Sequence, residues 1–132
     1  MKNSFLGGLL KGKEGYFYFV FRVVIGLLFL LHGLPKVQGV LGGKTAVLSL
    51  MALAGVIEVV GGLLIVLGLF TRYTAGVSAI EMIFAYFMAH ASRGLSPLKN
   101  GGEPAVLFFV AFLVLLVYGA IWWGLDKKFK IY

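Results

Sequence analysis

The chain is dominated by four apolar stretches, each long enough to cross a bilayer as a helix. About 30 Å of hydrocarbon takes about 20 helical residues, and stretches of that length fall near Tyr16–Leu34, Ala46–Phe70, Tyr73–Ala91 and Pro104–Trp123. Of the 132 residues, 61% are hydrophobic and 13% charged, too few polar side chains to cover a water-soluble domain this small. The pattern predicts an all-α, integral membrane four-helix bundle. It divides into an N-terminal segment over 1–15, a four-span domain over 16–126 and a basic tail over 127–132.

Turn chemistry marks the ends of the spans. Gly33 and Pro35 close the first, Gly42 and Gly43 lie in the loop before the second, Thr71-Arg72 reads as a tight hairpin, and Gly94 to Gly102 form the last loop. Phe5, Leu6, Leu9 and Leu10 make a short apolar stripe beside Lys2, Lys11 and Lys13, a pattern compatible with an interfacial helix or a frayed tail.

A net charge of +7 invites a nucleic-acid reading, but the basic residues bracket hydrocarbon-length segments and do not gather on one solvated face, so no nucleic-acid partner is assigned. With four spans, Lys2, Lys11, Lys13, Arg72, Lys127, Lys128 and Lys130 share one side. Lys36, Lys44, Arg93 and Lys99 share the other. The seven-to-four division predicts a multi-pass protein of the cytoplasmic membrane with both termini cytoplasmic. Tyr16, Tyr18, Tyr73, Trp122 and Trp123 then form an aromatic belt at that face.

Three ionisable residues fall inside the spans: Arg22, Glu58 and Glu81. Such residues are expensive in hydrocarbon and mark either function or structural pairing. Small residues share their helix faces: Gly26 beside Arg22, Gly55 and Gly62 beside Glu58, Ser78 and Ala85 beside Glu81. At 1.5 Å per residue, Arg22, Glu81 and Glu58 lie about 9, 12 and 18 Å from the same membrane face, so the three are expected to meet. One arginine facing two acids leaves a carboxylate either protonated or bound to something cationic. That suits a proton relay, a polar-ligand pocket or a quinone headgroup site with Tyr86 as a further donor; a purely structural tether suits it equally. His32, Lys36 and His90 are expected near the outer interface. The chain has no cysteine and no HxxxH or HExxH spacing, so no metal is assigned, and no residue is named as catalytic.

Several segments together resemble a known family. They are Arg22 with the run ending His32-Gly33-Leu34-Pro35-Lys36; Glu58-Val-Val-Gly61-Gly62 continuing through Gly68-Leu-Phe-Thr71-Arg72; Gly101-Gly102-Glu103; and Gly119 through Trp123-Gly124-Leu125-Asp126. In order and spacing they resemble the DoxX family of small four-span membrane proteins, from Arg22 to Asp126. Ile121 and Gly124 depart from the family's usual glycine-rich turn into Ser-Leu-Asp. The resemblance implies a bacterial or archaeal cytoplasmic-membrane bundle. Relatives have been associated with thiosulfate:quinone oxidoreduction as membrane subunits, and with complexes handling oxidative stress and thiols. Lacking cysteine, this chain cannot itself run thiol–disulfide exchange, so a redox role needs a soluble or membrane partner, or a bound quinone. The first expectation is therefore a membrane subunit of a redox complex with a polar intramembrane pocket. The alternative is a non-enzymatic binding or assembly protein that recognises a lipid, a small solute or a client membrane helix. A small proton-coupled transporter ranks behind both, since four spans need a homo-oligomer to enclose a path.

Overall fold

The computed structural model describes residues 5–131; Lys2, counted above among the basic residues of the N-terminal side, lies outside them. The described chain is all-α. Helix α1 (Phe5–Leu10) precedes α2 (Glu14–Leu41), α3 (Leu50–Leu67), α4 (Thr71–Ala85), α5 (Pro97–Asn100), α6 (Glu103–Tyr118) and α7 (Leu125–Phe129). Three helical stretches are long and apolar enough to cross a membrane: α2, α3, and the 23 residues Thr71–Arg93 that continue α4 through a π turn (Tyr86–His90) and a 3-10 turn (Ala91–Arg93). Helix α6 is apolar but only 16 residues long.

Close backbone approach sets the packing of α2 on α3. A Cβ on Gly62 would lie 2.5 Å from the Leu30 amide nitrogen and 2.6 Å from the Gly26 carbonyl oxygen, and one on Gly33 would lie 2.6 Å from the Glu58 Cβ. Two helices in hydrocarbon gain little from burying apolar surface against each other, so small residues that admit intimate van der Waals contact decide where they meet. These contacts fix the antiparallel register with Gly26 opposite Gly62 and Gly33 opposite Glu58. Helix α4 packs chiefly on α6, and a core of Phe29, Ile65, Ala79, Met82, Phe112 and Leu115 fills the space between the two pairs. Outward-facing Leu27, Leu31, Val60, Ile80, Leu107 and Val117 remain exposed, as lipid-facing side chains must.

The ends of the elements differ from the sequence reading in four places. Helix α2 does not stop at Pro35 but runs on to Leu41, with Gly42 donating back to the Gln38 carbonyl. Proline here removes one amide and leaves the rest of the helix to α3's support. The result is a 28-residue helix of about 42 Å that keeps Lys36 within it. The hairpin between α3 and α4 lies at Gly68–Phe70, and Thr71 and Arg72 belong to the first turn of α4. Gly68 makes that turn at φ 63°, ψ 42°. The loop from Gly94 to Gly102 holds the short α5. Helix α6 ends at Tyr118 and not at Trp123, because Gly119 adopts φ 67°, ψ −158°, a region essentially closed to residues with a Cβ.

Candidate functional site

The structure separates the three intramembrane charges into two clusters. Arg22 does not meet Glu58 or Glu81. Its guanidinium is fully buried and donates from one terminal nitrogen to the Trp122 carbonyl at 2.8 Å and from the other to the Trp123 carbonyl at 3.0 Å. The α2–α3 register puts Arg22 one turn beyond the Gly26–Gly62 contact and Glu58 on the other side of it, about 13 Å apart along the axis. The acceptors that claim Arg22 exist because α6 stops at Gly119.

Around Arg22 the chain's distant segments are tied together. The Tyr18 hydroxyl donates to the Gly119 carbonyl at 2.6 Å. The Asp126 carboxylate accepts from the Phe70 amide at 2.5 Å and from the Thr71 amide at 2.9 Å, so it caps α4 from 55 residues away. The Asp126 amide in turn donates to the Gly68 carbonyl at 2.8 Å. Trp123 packs edge-on against Tyr16 and Phe19, with ring centroids 4.7 and 5.3 Å away. A Cβ on Gly68 would lie 3.0 Å from the Arg22 guanidinium carbon, so the glycine also leaves room for that side chain. This cluster is a lock: both Asp126 oxygens and both terminal nitrogens of Arg22 are committed, while the Arg22 Nε and the Thr71 hydroxyl are buried with no partner among the described residues.

The second cluster is uncommitted. Glu58, fully buried on α3, pairs with Lys36 of α2, the Lys36 Nζ lying 2.6 Å from the Glu58 Oε1. Lys36 therefore reaches from the end of α2 into the bundle, where the sequence placed it at the outer interface. Glu81 on α4 lies within electrostatic range of both. Among the described residues, Glu58 Oε2, both Glu81 carboxylate oxygens and the Ser78 hydroxyl are buried with no hydrogen-bond partner. Ser78 borders the α3 backbone at Gly61, where a Cβ would come 3.4 Å from its hydroxyl oxygen. The two acids thus share a neighbourhood as the sequence suggested, but their cation is Lys36. Two carboxyls against one ammonium cannot both be ionised cheaply in a buried site.

Tyr86 and His90 serve the adjacent loop. The Tyr86 hydroxyl donates to the Leu95 carbonyl at 2.6 Å and accepts from the Asn100 side-chain amide at 3.3 Å, so it is no free donor. Asn100 is the buried hub of this loop: its amide nitrogen also donates to the Gly94 carbonyl at 2.7 Å, and its side-chain oxygen accepts from the Gly102 amide at 2.7 Å. His90 Nδ1 lies 3.3 Å from the Asn100 carbonyl. His32 sits near the Phe108 ring, with centroids 6.1 Å apart. Asn100 and Asp126 escaped the sequence reading because each is polar in a stretch that reads as loop; the signal for Asp126 was its place at the end of the closing glycine-rich segment.

The DoxX family model matches residues 17–91, which hold nearly all of the α2–α3–α4 scaffold and both acids. The chain is 43% identical over 128 residues to a Haemophilus influenzae protein named only "Uncharacterized protein", covering 91% of this chain and 96% of that one. It is 31% identical over 111 residues to the Bacillus subtilis (strain 168) protein "Putative oxidoreductase CatD", covering 80% of this chain and 81% of that one. No solved structure matches. This chain belongs to the DoxX family.

Proposed function

We propose that the chain is a membrane subunit of a redox complex, and that Lys36, Glu58, Ser78 and Glu81 form a binding site for the polar headgroup of a quinone. The observation that carries this reading is the set of four buried oxygens, on Glu58, Glu81 and Ser78, that have no partner among the described residues. Buried polar atoms are normally paired, and orphans call for a ligand, a proton or water. The family membership and the oxidoreductase name of the Bacillus relative support the redox setting.

The donor set suits a quinone. A quinone headgroup offers two carbonyl acceptors, and Lys36, the Ser78 hydroxyl and a protonated Glu81 carry the donors that match them. When bound, the quinone supplies the electron-carrying chemistry that no side chain of this cysteine-free chain can supply. Lys36 pairs with Glu58 at 2.6 Å and keeps spare N–H groups for the ligand. Glu81, with no cation of its own, is the residue that holds or passes a proton. In this reading α6, extended by the segment after Gly119, makes the fourth crossing, and both termini face the cytoplasm.

The test is chemical analysis of what the protein carries. After gentle detergent extraction and purification, quinone is extracted into solvent and quantified against protein. The reading predicts quinone well above the level carried by an unrelated four-span protein, falling about tenfold in Glu81→Leu as one buried hydrogen bond from the protonated carboxyl is lost. Background quinone in both proteins favours the non-enzymatic binding reading.

A further inference from the structure

We infer that a cavity of about 310 Å³ at the start of α4 binds the phosphate group of an anionic membrane phospholipid. The cavity is bordered by Thr71, Arg72, Tyr118, Asp126 and Lys127, at the end of the molecule opposite the Lys36–Glu58 pair.

Four features of these residues point to an anion. Arg72 and Lys127 carry positive charge and form no ion pair among the described residues. Arg72 spends one nitrogen on the Leu116 carbonyl at 3.1 Å and a long contact of 3.5 Å on Tyr118, so its fork retains N–H groups for a phosphate. Thr71 is fully buried, lines the cavity, and its hydroxyl has no partner. The cavity lies at the N-terminus of the 15-residue α4, where the macrodipole favours negative charge, the first two amides being held by Asp126. The one acid at the site does not oppose this. Both Asp126 oxygens are taken by the Phe70 and Thr71 amides, and the carboxylate lies within electrostatic range of Arg22.

Its surroundings identify the source of the phosphate as lipid. Exposed Tyr73, Tyr118, Trp122 and Trp123 ring this end of the bundle, the side chains that sit at headgroup depth. Exposed Phe70 and Ile121 border the cavity and offer apolar surface to an acyl chain, which a free phosphate ion cannot use.

The experiment is lipid retention by the full chain, read by native mass spectrometry after exchange into phosphatidylglycerol or phosphatidylcholine. Preferential retention of phosphatidylglycerol is expected, weakened about fivefold by Lys127→Gln and by Arg72→Gln, the loss typical of one basic residue at a charged surface. Thr71→Val, which keeps shape and removes only the hydroxyl, weakens it as well, whereas Lys99→Gln at the other end leaves it unchanged. Should Arg72→Gln unfold, Lys127→Gln decides, since among the described residues the Lys127 side chain makes no hydrogen bond or ion pair whose loss could disturb the fold. Equal retention of the two lipids, or wild-type retention by Lys127→Gln and Thr71→Val, overturns the inference. So does displacement of the lipid by inorganic phosphate at the concentrations at which phosphatidylglycerol itself competes.

Discussion

Lys36 holds Glu58 at 2.6 Å across the α2–α3 interface, only three residues past the glycine whose missing Cβ lets Glu58 approach α2 at all. The pair is thus built by the same close packing that sets the register of the bundle. It leaves Glu81, one helix further on, without a cation of its own.

The two charged clusters should respond differently to neutralisation. Arg22→Ala strands the Trp122 and Trp123 carbonyls and opens a hole at the point where the chain's two ends are tied, so a loss of about 3 kcal/mol or more is expected. Glu58→Gln keeps shape and frees a lysine whose side chain is already 21% exposed and can turn toward the interface. Thermal denaturation in detergent should therefore rank Arg22→Ala well below Glu58→Gln. Equal losses contradict the separation of the clusters.

Glycine-to-alanine changes separate close approach from ordinary helix propensity. At Gly62 the new Cβ meets α2 backbone at 2.5 Å, and a loss of about 1–3 kcal/mol is expected from overpacking. At Gly76 on α4 the nearest atom is a leucine methyl at 3.6 Å. There alanine should be neutral or stabilising by up to about 1 kcal/mol, from helix propensity alone. Denaturation midpoints of the two variants in one detergent check the contrast.

Asp126→Ala removes the acceptors for two α4 amides, worth about 1–2 kcal/mol for a lost cap. Because that contact also fastens the segment after α6, limited proteolysis should cut the variant between Gly119 and Lys130 sooner than the parent. Unchanged cleavage there contradicts the lock.

Spans and small-residue faces were legible in the sequence because a bilayer demands long apolar runs and tight packing demands glycine. The placement of Arg22 was not. It hinged on α6 breaking at Gly119, and one glycine inside an apolar run reads the same whether it packs within a helix or ends it. Lys36 was misplaced for a related reason: Pro35 read as the end of the helix, whereas α2 carries on past it. Glu58 and Glu81 lie within electrostatic range of each other, since their depths follow from spans whose inner portions the structure keeps. Asp126 as a distant helix cap has no local signature, because its partners lie 55 and 56 residues earlier.

Orientation is open to direct labelling. Single cysteines placed at exposed Lys11 and Lys99 in this cysteine-free chain report the two faces. With both termini cytoplasmic, an impermeant maleimide added to intact cells labels Lys99→Cys and spares Lys11→Cys. The reverse pattern inverts the topology.

The central claim is that Lys36, Glu58, Ser78 and Glu81 form a quinone site, and equilibrium binding of a fluorescent quinone analogue to the purified chain in lipid nanodiscs tests it most directly. The account predicts saturable binding that weakens about tenfold or more in Glu81→Leu and in Lys36→Met, each of which removes a buried hydrogen bond to the headgroup, and that survives Lys127→Gln at the far end. Binding that never saturates, or that is the same in all four proteins, contradicts it.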